Sequence, residues 1–229
     1  MRPPTTQEFA LDQLRRLIVA GEIAPGRPIR QDAIAQQLGV SRVPLREALK
    51  TLEAEGQVVY RPHRGYAVAE LALADLEEVY RLRELLEGEA VRTACAHYSD
   101  DELARLEDLR RDVDEAAEQD DLVGMIAANR RLHFALLEPC GMPRLLRMVR
   151  TLWDSTDAYR AVYYNAEDNR TRVRHEHERI VRAASDHDVE ALVSLLDQHR
   201  RHAVEALRGT IGPDGEPSGP PSGTAQPYS

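Results

Sequence analysis

The stretch from Gln31 to Glu55 leaves this chain few folds to choose from. Ile34, Ala35 and Leu38 recur at helical spacing, Gly39 stands where a helix ends in a left-handed residue, and Ser41 stands where the next helix needs an N-cap. Pro44 then falls within the first turn of that second helix. Proline is tolerated there because first-turn N–H groups have no intrahelical acceptor. Leu45, Leu49 and Leu52 make one stripe of the second helix, and Arg42, Arg46 and Lys50, four apart, make another. Two short helices about a tight turn, the second apolar on one face and basic on the other, are the layout of a helix-turn-helix whose second helix enters a DNA major groove.

The flanking sequence extends this unit. Gln7 to Ala20 predicts a helix with Phe9, Leu11, Leu14, Leu17 and Ile18 on its apolar side and Gly21 as its stop, packed under the helix-turn-helix. Residues 22–30 carry a Pro-Gly turn and too little periodicity for a helix, so they predict an extended connection. After Gly56, the β-prone runs Val58-Val59-Tyr60 and Tyr66-Ala67-Val68 flank a basic tip from Arg61 to Gly65. That pattern predicts a two-stranded wing whose reach favours the minor groove or the flanking phosphates.

The formal net charge of −9 argues against a nucleic-acid partner until it is divided along the chain. Residues 1–66 carry ten Arg and Lys against seven acids, a net +3 that leaves −12 for the rest. A mildly basic module on an acidic body suits a DNA reader whose body must not adhere to phosphate.

From Leu73 onward, long amphipathic helices follow one another without a convincing strand. We count six, at about 73–97, 99–118, 120–139, 143–163, 171–185 and 188–208, with a capping box at Ser99 and Glu102 and a break at Cys140-Gly-Met-Pro143. The expected fold is mainly α: an N-terminal winged helix-turn-helix over residues 5–70, with a small β wing, and an all-α six-helix bundle over 73–208. Residues 209–229, rich in Gly, Pro and Ser, predict a disordered tail. No run approaches the ~18 apolar residues of a membrane span, and the start lacks the apolar block of a signal peptide, so a cytoplasmic protein is expected. Cys95 and Cys140, in separate apolar segments, read as reduced packing residues.

With these residues in view, the chain resembles the GntR-type transcriptional regulators, and among them the FadR-like branch with an all-helical FCD effector domain. The carrying motifs are Pro25-Gly26 before Ile29-Arg30, the run from Leu38 to Leu49, Leu52-Glu-Ala-Glu-Gly56, and the wing Arg64-Gly65-Tyr-Ala-Val68. Six effector-domain helices point to the VanR-type subgroup. The resemblance covers roughly residues 5–207 and implies a homodimer on a two-fold, double-stranded DNA operator, no membrane partner, and a small organic acid as effector. It places DNA contacts at Ser41, Arg42 and Arg46 and at the wing tip Arg64-Gly65. Arginine's fork can pair with both acceptors of a guanine edge, which agrees with that placement. Some relatives carry a DNA-reading arginine where this chain has Asp32, a departure for which Arg30 is the available substitute.

The resemblance also implies a divalent metal of the zinc, nickel or manganese type. Metal-binding relatives carry an acid four residues before a histidine, a second histidine about 45 residues on and a third 22 later. Here Asn129, His133, His177 and His199 stand at intervals of 4, 44 and 22. Three neutral imidazoles suit such an ion. Asn129 is the departure: its amide oxygen can ligate but brings no charge, leaving the ion to be compensated by an anionic effector. Arg83 matches the family's Arg-x-x-Leu-Glu pattern and is a candidate anchor for the effector's carboxylate, with an ion pair to Glu87 one turn on as the competing reading. His175, His187 and His202 read as surface residues, the last within reach of supporting His199.

Two other functions fit parts of the sequence. A DNA-binding regulator whose effector domain is empty and serves only dimerisation fits the loss of the acid at 129. A metal-dependent enzyme would need a carboxylate base such as Glu138 or Glu176 near the metal, and it leaves the DNA module unexplained.

Overall fold

In the computed structural model, which describes residues 3–211, ten α-helices and one antiparallel β-hairpin account for nearly all regular structure among those residues. The first three helices are α1 (Thr6–Val19), α2 (Gln31–Leu38) and α3 (Arg42–Ala54). A capping box fixes the start of α1, where the Thr5 hydroxyl accepts from the Glu8 amide and the Glu8 carboxylate accepts from the Thr5 amide. Gly39 ends α2 at φ 65°, and Gly56 turns the chain out of α3 at φ 76°, left-handed conformations that cost glycine nothing. Ser41 occupies the N-cap of α3 in an extended conformation, without a side-chain capping bond. The wing is β1 (Val58–Arg61) paired with β2 (Gly65–Val68), Val58 opposite Val68. Residues 26–29 lie along its outer edge, bonding Gly26 and Ile29 amides to the Val68 and Tyr66 carbonyls.

Ala10, Leu14 and Ile18 of α1, Leu45, Leu49 and Leu52 of α3, and Val58 and Val68 of the wing form one apolar cluster. Phe9, expected on the buried side of α1, is instead 40% exposed. The buried stripe is the narrower 10-14-17-18 set, and Phe9 lies at its margin.

The second apolar cluster belongs to α4 (Leu73–Cys95), α5 (Asp100–Glu118), α6 (Leu122–Leu137), α7 (Pro143–Asp154), α8 (Asp157–Tyr164), α9 (Glu167–Ser185) and α10 (Val189–Arg208), with a single 3-10 turn at Glu138–Cys140. Seven α-helices thus stand where six were expected, because the segment expected as one helix over 143–163 is two. Ser155 and Thr156 divide it: their hydroxyls donate to the Leu152 and Trp153 carbonyls, and the Arg160 guanidinium takes the Trp153 carbonyl as well. Side-chain donors therefore satisfy the carbonyls that a continuing helix would have used. The start of α9 also moves up, to Glu167. Cys95 and Cys140 are buried free thiols. The tail expected to be disordered from Gly209 is ordered at its start: Thr210 and Ile211 bond their amides to the Leu207 carbonyl and Ile211 is buried, and residues 212–229 lie outside the described residues.

The α7–α8 break is also where the two clusters meet. Arg15 of α1 pairs with Glu55 at 2.6 Å and reaches Asp154 at 3.7 Å, while Asp154 also takes Arg130 at 2.6 Å. The Tyr159 hydroxyl of α8 bonds both the N–H and the C=O of Ala72, the residue that leads into α4.

Candidate DNA-reading face and histidine cluster

Burial of Leu45, Ala48, Leu49 and Leu52 turns the opposite face of α3 to solvent, and with it Arg42, Val43 and Arg46. Ser41 and Arg30 are exposed beside them. Val43 is 72% exposed, a large apolar side chain on the basic face that no sequence signal singled out. Its branched methyl groups suit contact with a thymine methyl. Asp32, on α2, forms an exposed ion pair with Arg42, Oδ1 lying 2.5 Å from Nε, so this acid is paired with one of the candidate readers. At the wing tip Arg64 is exposed, His63 and Gly65 both have positive φ, and the Arg64 amide closes the turn onto the Arg61 carbonyl.

The histidines converge as their spacing implied. His133 from α6, His177 from α9 and His199 from α10 are all buried, and one nitrogen from each lies within 4.8 Å of the others. The His133 and His177 Nε2 atoms face one another at 3.3 Å. His199 is oriented from behind, its Nδ1 bonded to Glu176 at 2.6 Å, which leaves Nε2 for the cluster. The other Glu176 oxygen takes His202 Nδ1 at 2.5 Å. A carboxylate on the far nitrogen of a ligating imidazole fixes its orientation and raises its basicity. Burial raises the Glu176 pKa, but its bonds to His199 and His202 outweigh this and leave it below the usual carboxylate range. His202 is therefore a partner of the cluster and not a plain surface residue. Glu138 is spent elsewhere, half-exposed and 3.5 Å from Arg105.

Burial, then the neighbouring imidazoles, hold His133 and His177 well below the usual imidazole range. Both are therefore neutral near pH 7, the form that binds metal. Asn129, one turn before His133, is buried with no hydrogen-bond partner for its Oδ1, and His177 Nδ1 likewise has none. Three buried imidazoles with converging nitrogens are a donor set a divalent ion would satisfy, and the orphaned Asn129 oxygen, one turn before His133 and on a cavity lining shared with His199, is the further oxygen donor available to it.

Next to the histidines, Arg83 is buried and donates from Nε to Glu87 at 2.7 Å, as the competing reading of its motif had it. Glu87 also accepts from Arg200 at 2.6 Å and from the Trp153 indole at 2.7 Å. Trp153 lies against two cations, with the Arg83 and Arg160 guanidiniums 4.1 and 4.2 Å from its ring centroid. Arg160 pairs with Asp157, and Arg200 also pairs with Asp197. Arg83, Asn129, His199, Arg160, Tyr163 and Arg200 share the lining of a cavity of about 20 Å³, and the Tyr163 hydroxyl there has no partner. That volume is roughly the room for one water. The sequence pointed to Arg83 alone; Trp153, Arg160, Tyr163 and Arg200 lie on other helices, and no local spacing links them to it.

Comparison with known proteins follows the same division. The family described as "Bacterial regulatory proteins, gntR family" matches residues 6–68, and the family described as "FCD domain" matches residues 78–202. The Nta operon transcriptional regulator of Aminobacter aminovorans is 30% identical over 200 residues, 85% of this chain and 93% of its own. The HTH-type transcriptional regulator McbR of Escherichia coli is 31% identical over 142 residues, 62% of this chain and 64% of its own. The solved structure of E. coli McbR/YncC superposes with a TM-score of 0.80 at 25% identity, covering 92% of this chain and all of that one.

Proposed function

Because the chain belongs to the gntR family of bacterial regulatory proteins and carries an FCD domain, we propose that this DNA-binding transcriptional regulator is switched by a small organic acid held at a metal centre in its helical domain. The regulator class, as opposed to an enzyme, follows from the family. The metal-assisted effector site is our reading, and the convergence of buried His133, His177 and His199, with the orphaned Asn129 Oδ1 one turn before His133, is the observation that carries it.

Asn129 and the three imidazoles would hold the ion, which would supply a Lewis-acid anchor for an acid's carboxylate. All four donors are neutral, so the bound ion keeps its charge until an anion arrives. Arg83, Arg160 and Arg200 line the approach, but Glu87, Asp157 and Asp197 already pair with them, so recognition needs these pairs to open. The cavity of about 20 Å³ says the same: an acid larger than water must displace side chains to enter.

Displacement has a route to the DNA module. Trp153 and Arg160 touch the cavity, and Asp154, between them on the α7–α8 break, reaches Arg15 beneath α3. An acid that binds the displaced arrangement better shifts the population towards it and changes how the two DNA modules of a homodimer are presented to a two-fold operator. On that operator Arg42 and Arg46, with Ser41 at the helix start, read the major groove, Arg64 and Gly65 probe the minor groove, and Arg30 contacts backbone.

Titration calorimetry with zinc or nickel tests the centre. Binding at one site per chain is expected, weakened at least about tenfold in Asn129→Ala and abolished in His177→Ala. Unchanged metal uptake by His177→Ala would sink the site. Asn129 in place of an acid also favours a second reading, an empty helical domain used only for dimerisation. In that case the wild-type protein takes up no metal and its melting temperature ignores both metal and acids.

A further inference from the structure

A groove between α4 and α10 borders the buried cavity beside the histidines. Its volume is about 260 Å³, and Tyr80 and Glu84 of α4 line it together with Asp197, Arg200 and Val204 of α10. Tyr80 and Arg200 also line the inner cavity, the one that includes Asn129 and His199. These two side chains, 8% and 4% exposed, therefore stand between the groove and the histidine centre. Tyr80 is held from within, the Arg83 guanidinium lying 4.7 Å from its ring centroid. Arg200 is not: its guanidinium takes Glu87 in the interior at 2.6 Å and Asp197 on the groove, and its Nε is buried without a partner.

Arg200 thus has two carboxylates to rest on, one on each side of the partition. Releasing Glu87 leaves Arg200 with Asp197, and leaves Glu87 with Arg83 and the Trp153 indole. No buried charge is stranded by that swing. The other arginines of the cavity have no such second position. Among the described residues Arg83 pairs with Glu87 alone, so its release would strand a buried cation, and Arg160 is held at once by the Trp153 carbonyl, the Thr156 hydroxyl and Asp157.

We infer that the α4–α10 groove is the passage by which ion and acid reach the histidine centre, and that Arg200 is its gate, closed on Glu87 and open on Asp197. The inference rests on the metal centre proposed above, and its test separates the two. Trp153 is the chain's one tryptophan and its ring centroid lies 5.0 Å from that of His133, so nickel arriving at the centre quenches its fluorescence. Stopped-flow mixing of the metal-stripped, full-length protein with nickel reads entry. Mixing the loaded protein with excess dipicolinate, a chelating dicarboxylic acid, reads exit.

Arg200→Ala should speed entry and exit by about tenfold or more, and Asp197→Asn, which removes the open position, should slow both by a similar factor. The equilibrium nickel affinity of each variant should stay within about threefold of wild type, because a gate changes rates and not the centre it guards. A loosened fold would speed both variants, so opposite signs report the gate and not a structural role. Val204→Cys coupled to cyclohexylmaleimide plugs the groove without touching Arg200 and should also slow both steps; Cys95 and Cys140 are buried, which directs the label to position 204. Nickel binding whose rates ignore all three changes overturns the gate and leaves the metal centre standing, and rates raised by Asp197→Asn overturn it as well. A wild type that takes up no nickel overturns the metal centre itself, and the gate with it.

Discussion

Replacing Glu87 with glutamine removes one charge and almost no volume from a buried carboxylate that three side chains share. Glu87 is 1% exposed and accepts from Arg83, Arg200 and Trp153. Arg200 keeps Asp197, but Arg83, 3% exposed, keeps no carboxylate. Stranding one member of a buried ion pair costs about 3–5 kcal/mol. In a folding unit of this size each kcal/mol moves the melting temperature by roughly 2–4 °C, so Glu87→Gln should melt roughly 10 °C below wild type. Glu84→Gln is the control: it breaks the exposed pair with Arg81, of a kind worth ~0.2–1 kcal/mol, and should shift melting by no more than a few degrees. The assay is thermal unfolding followed by circular dichroism on metal-stripped protein. If Glu87→Gln melts within about 2 °C of wild type, the buried arginines do not depend on this carboxylate and the account of the pocket's charge balance fails.

Arg46→Ala should weaken operator binding by about 1–3 kcal/mol and relax its sequence preference, as read by fluorescence anisotropy; retained specificity would remove Arg46 from the reading face. Asp32→Ala frees Arg42 and removes an acid from the DNA face, so affinity for any duplex should rise and fall more steeply with salt; an unchanged salt dependence would show that Asp32 does not restrain Arg42. For metal-free protein the sign of the pH effect follows from His133 and His177, whose folded-state values lie below the unfolded value of about 6.5. The unfolded chain binds more protons below that pH, so stability is full above about pH 6.5 and declines as pH falls towards 5. Urea midpoints at pH 8, 7, 6 and 5 should show the decline, with His177→Asn flatter; a midpoint that rises on acidification would contradict the buried neutral imidazoles.

The helix-turn-helix and wing were legible because their signals are local: Gly39 and Gly56 do adopt the left-handed turns their positions suggested, and the β-prone runs pair as a hairpin. The break between α7 and α8 was hidden because Ser155 and Thr156 carry no obligatory stop signal, and it takes buried Arg160 to complete the end of α7. The histidines could be brought together in advance only through the family's spacing. Their supports had no such guide. Glu176 holding both His199 and His202, and Glu87 joining Arg83 to Arg200 and Trp153, are contacts between different helices, over separations of 23 to 113 residues. Helical periodicity reports neighbours one turn away and is silent on these.

Operator binding measured with and without metal and acid bears most directly on the switch. Fluorescence anisotropy on a two-fold operator duplex would compare nickel-loaded and metal-stripped protein across a panel of small mono- and dicarboxylates, with His177→Ala alongside. At least one acid should change operator affinity fivefold or more in the loaded wild type and leave the stripped protein and the variant unmoved. An acid response that survives both removal of the metal and loss of His177 would contradict control from the histidine cluster, as would no response to any acid in the loaded protein.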